Sequence, residues 1–476
     1  LVFKIQQLVS VFLQLVTGIM NVLVAAESMT ELEEKIQRLV QKTAAQLLEW
    51  SLNEIDARLA KDQEPGKYEN KGIRIRTLIT TVGEIEIKRR YYHEIETGRY
   101  CFLLDETLGL APRRRVSPRL KKMMLDMGTD TTFRKASTVL EYMVPGVSHM
   151  TVWSEVQRAG ARAKKEAEEV RAEVFEDGVI PEGKRSVKRL NIEADGVMIK
   201  QQRSSKRHEE IKLVVAYESK ENSKPLVNRK TVAGLADSST IWEQASSKFG
   251  HEWQLNGKED IRIGGDGAAW IKEGMEVFPG STYHLDLFHL RKRITQALGF
   301  NGDYYQAVAE KILELNQKDL EEVFSHILKN TREKTRRKRI RDLQNYILGN
   351  WTGISNLPKE ERLGVIEGQV RHTIARRMKN IGGGWSSTGT DHMARLLAAK
   401  ANNEISKYSG SSGGFERERI TRALPSKLVD PKSKPSKKDL SEWLAATVPL
   451  LEGPASGKMW AKYVLRPLTS ASYRTA

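Results

Sequence analysis

A single cysteine, Cys101, occurs in 476 residues, which excludes an intrachain disulfide framework and a cysteine-based zinc finger and suits a reducing cytosol. Acidic residues are outnumbered, 61 against 78 basic ones, giving a formal net charge of +17 and a pI of about 9.6. That shortfall favours a polyanionic partner, nucleic acid ahead of an anionic membrane. Uninterrupted apolar sequence long enough to span a bilayer, about 20 residues, is also missing. The nearest stretch, IQQLVSVFLQLVTGIMNVLVAA at 5–26, follows Lys4 in the manner of a signal segment. Gln6, Gln7, Gln14 and Asn21 break it, however, and Glu27, Glu31, Glu33 and Glu34 come directly after. A buried or oligomerising helix, or an extension ahead of Met29, is the better expectation, and membrane insertion is disfavoured. Aromatic residues at 7% and hydrophobic ones at 39% are ordinary globular values that argue against wholesale disorder. The chain is too long for one simple core, so several domains are expected.

After the apolar extension at 1–28, a helix-plus-hairpin region is expected at 29–112. Leu32, Ile36, Leu39, Val40, Ala44, Leu47, Leu48, Leu52, Ile55 and Leu59 recur at helical spacing, the mark of a long amphipathic helix that packs or dimerises. IRIRTLITTVGEIEIKRRYY at 73–92 switches to a period of two around Gly83 and predicts a β-hairpin. Its Arg74, Arg76, Lys88, Arg89 and Arg90 lie either along a phosphate backbone or on a solvated face. The run RRRVSPRLKK places Arg113, Arg114 and Arg115 at the head of a region at 113–178. Within it a helix, a turn at Val144-Pro145-Gly146-Val147 and a second helix capped by Ser148 outline a helix-turn-helix, whose second helix lies in the major groove. His149, Thr151 and Arg158 fall on its exposed side while Val152 and Val156 pack inward. A charged helix is expected at 161–176.

From residue 186 the pattern becomes α/β. Leu190, Ile192 and Ala194 alternate in LNIEADGVMIKQQ and put Asp195 at a strand end. Strands follow at 211–217 and 230–235, a helix at Ser239–Phe249, the strand in IRIGGDGAAWIK at 261–272, and another strand at 281–290. Residues 291–360 are basic, helical and free of strand pattern, with Arg332, Lys334, Arg336, Arg337, Lys338, Arg339 and Arg341 as a phosphate-binding surface. A helix at 364–379, with Val365, Ile366, Gln369, Val370 and Ile374 on one side, carries Glu367 and the basic Arg371, Arg376 and Arg377. Trp385 and a further helix precede a linker at 410–440 and a tail at 441–476. The expected fold is an α/β catalytic core at 186–290 and 361–409, ribonuclease-H-like with a mixed sheet and helices. It carries an all-α insertion at 291–360 and follows a mainly helical DNA-binding region with a small β-hairpin.

Asp266, taken alone, reads equally as a helix cap or as a ligand at the carboxyl edge of a sheet. Gly264, Gly265 and Gly267 leave bare backbone around it, room for a metal and a phosphate. Asp195 and Glu367, 71 and 101 residues away (266 − 195 and 367 − 266), add one carboxylate at another strand end and one on a helix beyond the insertion. Three clustered carboxylates repel unless a dication joins them, and oxygen donors select Mg²⁺ or Mn²⁺. Two such ions about 3.5–4 Å apart serve phosphodiester chemistry.

NIEADGVMIKQQRSSKRHEEIKLVVAYES, GGDGAAWIKEG, YHLDLFHLRKRI and LGVIEGQVRHTIARRMKNIGGGWSSTGTDHMARL resemble the ISLre-type insertion-sequence transposases of bacteria. That family, long catalogued as uncharacterised, is a distant relative of the Mutator-type DDE enzymes. The resemblance extends upstream through TLITTVGEIEIKRRYY and LLDETLGL. It implies a ribonuclease-H-like domain whose DDE triad falls on Asp195, Asp266 and Glu367. Mutator-type relatives carry a C/D-x-x-H motif after the second Asp, which Asp286-Leu287-Phe288-His289 fits; His289 holds the scissile phosphate or the distorted DNA, or is structural. Further implications are two Mg²⁺ or Mn²⁺ ions, no small-molecule cofactor, double-stranded DNA at transposon ends and target, a homodimer or larger assembly on DNA, and a cytoplasmic, nucleoid-associated location. A derived DNA-binding regulator and a nuclease of the same fold are the alternatives.

Overall fold

The computed structural model describes residues 2–220, 225–300, 302–356, 363–381 and 383–409; the predicted linker and tail lie outside the described residues. Helix α1 (Val2–Ala25) packs along α2 (Met29–Asp62), which begins at Ser28, whose hydroxyl accepts from the Glu31 amide at 3.2 Å. Gly18 of α1 sits against Leu39, but Phe12, Leu13 and Val24 face outward, so the expected burial of this segment is one-sided. No helix among the described residues is long and apolar enough to cross a membrane. Strands β1 (Tyr68–Thr80) and β2 (Gly83–Glu94) form the predicted hairpin, joined by β3 (Tyr100–Cys101) and followed by α3 (Leu103–Thr107). Leu52, Leu59, Leu78, Ile85, Ile87 and Leu104 form a small core of their own.

The hairpin corrects one expectation. Arg76 and Arg89 do not offer themselves to phosphate: both are buried on the carboxylate of Asp105, and Arg76 also donates to the carbonyls of Ala111 and Arg114. Arg90 pairs with Asp56 of α2 at 2.5 Å. Counter-charges from outside the hairpin turn these side chains inward, leaving Arg74 and Lys88 exposed.

Ser117 and Pro118 start α4 (Pro118–Asp130), the hydroxyl accepting from Leu120 and proline filling the first helical position. Helices α5 (Phe133–Glu141) and α6 (His149–Phe175) flank the expected turn, and Ser148 caps α6 by accepting from the Thr151 amide at 3.1 Å. The separate charged helix expected at 161–176 is the continuation of α6, a rod of 27 residues. Gln37 and Gln41 of α2 reach the carbonyls of Tyr142 and Met143, tying the first region to the turn.

Next come β4 (Arg185–Ser186), β5 (Arg189–Lys200), β6 (His208–Tyr217), β7 (Lys230–Gly234), α7 (Ser238–Gly250), β8 (Trp253–Gln254), β9 (Asp260–Gly265), α8 (Ala269–Lys272), α9 (Gly274–Val277) and β10 (Thr282–Leu285). The main sheet has the order β10-β9-β5-β6-β7; β5, β6 and β7 are antiparallel neighbours, whereas β9 runs parallel to β5 and β10 to β9. Alternation along β5 and β6 sends Val197, Ile199, Ile211, Leu213 and Val215 into a core shared with α4, α5 and α6. Leu190, Ile192, Ala194, Val214 and Ala216 face a second core with α7 and the helical insertion.

The strand expected at 281–290 ends at Leu285, because Asp286 caps α10 (Leu287–Leu298) by accepting from the Phe288 amide at 2.8 Å. Helices α11 (Asp303–Leu313), α12 (Gln317–Asn330), α13 (Lys334–Gly349) and α14 (Trp351–Ser355) complete the insertion. The chain returns through α15 (Ile366–Gln369), a π-helix (Val370–Asn380) and α16 (Ser387–Ala401). The periodicity over 364–379 predicts a plain α-helix; only its first turn is α. Eleven consecutive π residues are unusual, since π geometry mostly occurs as single-turn bulges near functional sites.

Candidate metal centre

Parallel pairing of β5 with β9 stops at Glu193 opposite Gly264. Asp195 therefore does not sit at a strand end as expected but in the middle of β5, which continues as a hairpin with β6; it is the neighbour β9 that ends. The opening this creates is the carboxyl edge of the parallel strands, with Asp266 just beyond the end of β9 and Asp195 on the adjacent β5. Asp266 follows β9; its carboxylate makes a local turn contact and is not among the three groups that close into one site, and α8, with Ala268 at its N-cap, has no side-chain cap. One carboxylate oxygen accepts from the Ala268 amide at 2.9 Å at the start of α8, and its backbone carbonyl accepts from Tyr346 Oη at 2.7 Å.

Ligand atoms of Asp195, His289 and Glu367 all lie within 4.8 Å of one another. The three come from β5, α10 and α15, so residues far apart in sequence close into one site. His289 is three residues beyond Asp286 on α10, and its Nδ1 lies 2.9 Å from the Asp286 carboxylate, which leaves Nε2 for a ligand. Burial lifts the Asp195 carboxyl to about 6, with the negative charges of Asp266 and Glu367 adding to the rise against the Gly196 amide and His289. The Asp286 hydrogen bond raises His289, helped by the charges of Asp195 and Asp266. A half-buried anion with two like charges beside it is what a divalent cation relieves. The donor set, carboxylates plus one imidazole, fits such a cation. It differs from the oxygen-only set expected, because the imidazole widens the choice from Mg²⁺ toward Mn²⁺ and other transition ions.

The glycines around Asp266 serve packing rather than an open cradle. A Cβ on Gly264 would lie 2.8 Å from Leu363 Cδ1, on Gly265 2.7 Å from Ile271 Cδ1, and on Gly267 2.9 Å from the Asn350 amide. Two supporting residues escape the sequence reading. Tyr346 of the insertion holds the Asp266 backbone, and Glu193 on β5 accepts from the amides of Gly364, Val365 and Ile366 just before Glu367. A signal for Glu193 does exist: in LNIEADG it shares the strand face of Asp195.

The basic residues expected to meet DNA divide into two groups. Arg113, Arg115, His149, Arg158, Arg336, Lys338, Arg339, Arg371 and Arg376 are exposed or partly so; Arg114 and Thr151 are half-buried. Arg158 pairs with Glu155 at 2.6 Å. Arg337 turns back to the carbonyls of Leu328 and Thr331 at the end of α12. Arg377 is a correction: it is buried, donates to the Gly128 carbonyl at 2.9 Å and lies over the rings of Phe133 and Trp385. Burial brings its guanidinium down to about 10, so it joins the π-helix to α4 instead of facing a ligand.

Fold and site together define a mixed α/β protein with a carboxylate–imidazole cluster at the edge where its parallel strands end. The chain belongs to the uncharacterised protein family UPF0236, whose model matches residues 24–409. A relative from Caldanaerobacter subterraneus subsp. tengcongensis is 28% identical over 407 residues, covering 83% of this chain and 81% of its own. A second from the same organism is 27% identical over 410 residues, 83% of this chain and 82% of its own. One from Streptococcus gallolyticus is 26% identical over 419 residues, 84% and 89% of the two chains.

Proposed function

We propose that the chain is a metal-dependent DNA transposase that binds the ends of a mobile element, cuts a strand and joins it to a target. The observation that carries this reading is the convergence of Asp195, Glu367 and His289 within 4.8 Å beside Asp266. Supporting the reading, the sheet adds two parallel strands on one side of three antiparallel ones, an order compatible with a ribonuclease-H-like fold. The names of the relatives add support: one carries eleven locus designations in a single genome, and others four and two. Dispersed copies of one protein are what a mobile element leaves behind.

Asp195, Asp266 and Glu367 would hold the metal, with His289 as a further ligand or as the group facing the scissile phosphate. When bound, divalent ions lower the pKa of the attacking water or 3′-hydroxyl and stabilise the departing 3′-oxygen. The protein supplies the rest. Asp286 fixes the His289 ring through Nδ1, leaving Nε2 either to hold the ion as neutral imidazole or, protonated, to donate to a phosphate oxygen. Exposed Arg113, Arg115, Arg336, Lys338, Arg339, Arg371 and Arg376 neutralise backbone phosphates, and His149 stands at the start of α6 for base contacts. Asp195→Asn and Asp266→Asn are expected to abolish strand cleavage in Mg²⁺ or Mn²⁺ while end binding in a gel-shift assay is retained. Cleavage surviving in either variant overturns the assignment.

A further inference from the structure

We infer that Glu193 is a positioning residue: its carboxylate latches the chain returning from the helical insertion onto β5 and thereby sets where Glu367 stands relative to Asp195 and Asp266. The inference rests on the metal-centre reading of those carboxylates and adds a residue that neither the triad nor the C/D-x-x-H motif contains.

Glu193 is 1% exposed and lies two residues before Asp195, on the same face of β5. Its oxygens accept from the amides of Gly364 (2.9 Å), Val365 (3.0 and 3.2 Å) and Ile366 (3.2 Å), and from Tyr217 Oη (2.5 Å). Every one of these partners donates, so the carboxylate is the acceptor in each contact. The three amides come from Gly364, the N-cap Val365 and the first residue of α15, Ile366, so the contact fixes the backbone that enters the short helix carrying Glu367. Glu367 follows Ile366 directly, so the latch ends one peptide unit before the ligand.

Neighbouring residues are shaped around this contact. A Cβ on Gly264 would come within 3.2 Å of Glu193 Cγ as well as 2.8 Å of Leu363, so the first glycine of GGDG makes room for the latch. Gly364 has φ +124, a turn that aims its amide at Glu193 and that other residues enter only with strain. Among side chains of similar size, glutamate alone presents two acceptor oxygens to three converging amides. Glutamine conserves the volume but sets an NH₂ group against an N–H.

The test uses the full chain with Mn²⁺ alone as the metal probe. Glu193→Gln is expected to speed hydrogen exchange at 364–366 while the β5–β6 amides stay protected, and to weaken Mn²⁺ binding about 10- to 100-fold, the usual effect of losing a group that orients a ligand. Cleavage kcat should fall with DNA-end affinity unchanged, a split that a general packing defect does not produce. Tyr217→Phe removes one donor of four, and a smaller loss of Mn²⁺ affinity is expected; it carries the test should E193Q fail to fold. Wild-type Mn²⁺ affinity together with wild-type exchange at 364–366 in E193Q, or unchanged Mn²⁺ affinity in a folded Y217F when E193Q does not fold, overturns the latch. A wild-type chain that binds Mn²⁺ through Asp195 yet cuts no DNA overturns the transposase reading and leaves the latch standing.

Discussion

Asp195 concentrates the electrostatics of the site. Its carboxyl is lifted by burial to about 6 from an ordinary 3.8, so the folded, metal-free chain holds this proton more tightly than the unfolded chain does. The sign follows: the group imposes no penalty below about pH 4, and stability is lost as pH rises through about 6, where the anion forms in a buried site beside two like charges. Asp195→Asn is therefore expected to raise the Tm of the metal-free protein in EDTA at pH 7.5, to leave it nearly unchanged at pH 4, and to remove the stabilisation that Mn²⁺ gives the wild type. Identical pH profiles for the two proteins would contradict the assignment. This carboxylate is legible in the sequence because a polar residue next to glycine interrupts an apolar alternation, and Asp266 for the same reason. Arg76, Arg89 and Arg377 are not, because a buried arginine and a surface arginine look alike until the partner is known; here Asp105 and the rings of Phe133 and Trp385 are remote in sequence. His289 enters through the family motif alone, since nothing local in YHLDLFHL distinguishes a ligand from a core histidine.

At the scale of elements, the crossing of α6 with α16 is a tight helix contact beside the sheet. A Cβ on Gly160 would lie 2.3 Å from His392 Cβ and 2.8 Å from the His392 backbone. Helix propensity favours alanine over glycine by about 1 kcal/mol, but overpacking against backbone costs about 1–3 kcal/mol and more when neither helix can yield. Gly160→Ala is expected to destabilise the chain by about 1–2 kcal/mol in urea unfolding; a stabilised variant would mean that the helices slide apart freely. Ser148 caps α6 as its place before the helix predicts, and the structure adds Ser28, Ser117 and Asp237 as caps of α2, α4 and α7. Strand length is not readable: 281–290 looks extended because Tyr283 and Leu285 alternate, while the cap at Asp286 that stops the strand also reads as one more polar residue in the alternation. The π-helix has no signal, because a small change of hydrogen-bond register leaves the spacing of Val370 and Ile374 compatible with either helix.

Over the whole molecule, the charge of +17 is not spread evenly between structure and surface. Several arginines serve internal ion pairs, whereas α13 presents Arg336, Lys338 and Arg339 to solvent. If DNA lies along that helix, replacing Arg336 and Arg339 by alanine should make the slope of log affinity against log salt shallower by about two, one for each phosphate no longer neutralised. Fluorescence anisotropy across a salt series measures this, and an unchanged slope removes α13 from the interface. The succession of the main strands along the chain and the strand-free insertion after β10 follow from sequence periodicity; their side-by-side order does not. The sharing of one core by the helix-turn-helix and the sheet does not, since α6 carries its inward residues Val152, Val156, Ala159 and Ala163 on a single stripe without naming what they meet. That shared helix has a metrical consequence. From His149 to the Gly160 crossing, α6 rises about 16 Å, roughly the length of five base pairs. Should its first turn read DNA, α6 would act as a ruler measured from the α16 crossing: each residue added between them would move the reading end by about 1.5 Å and swing it by about 100°.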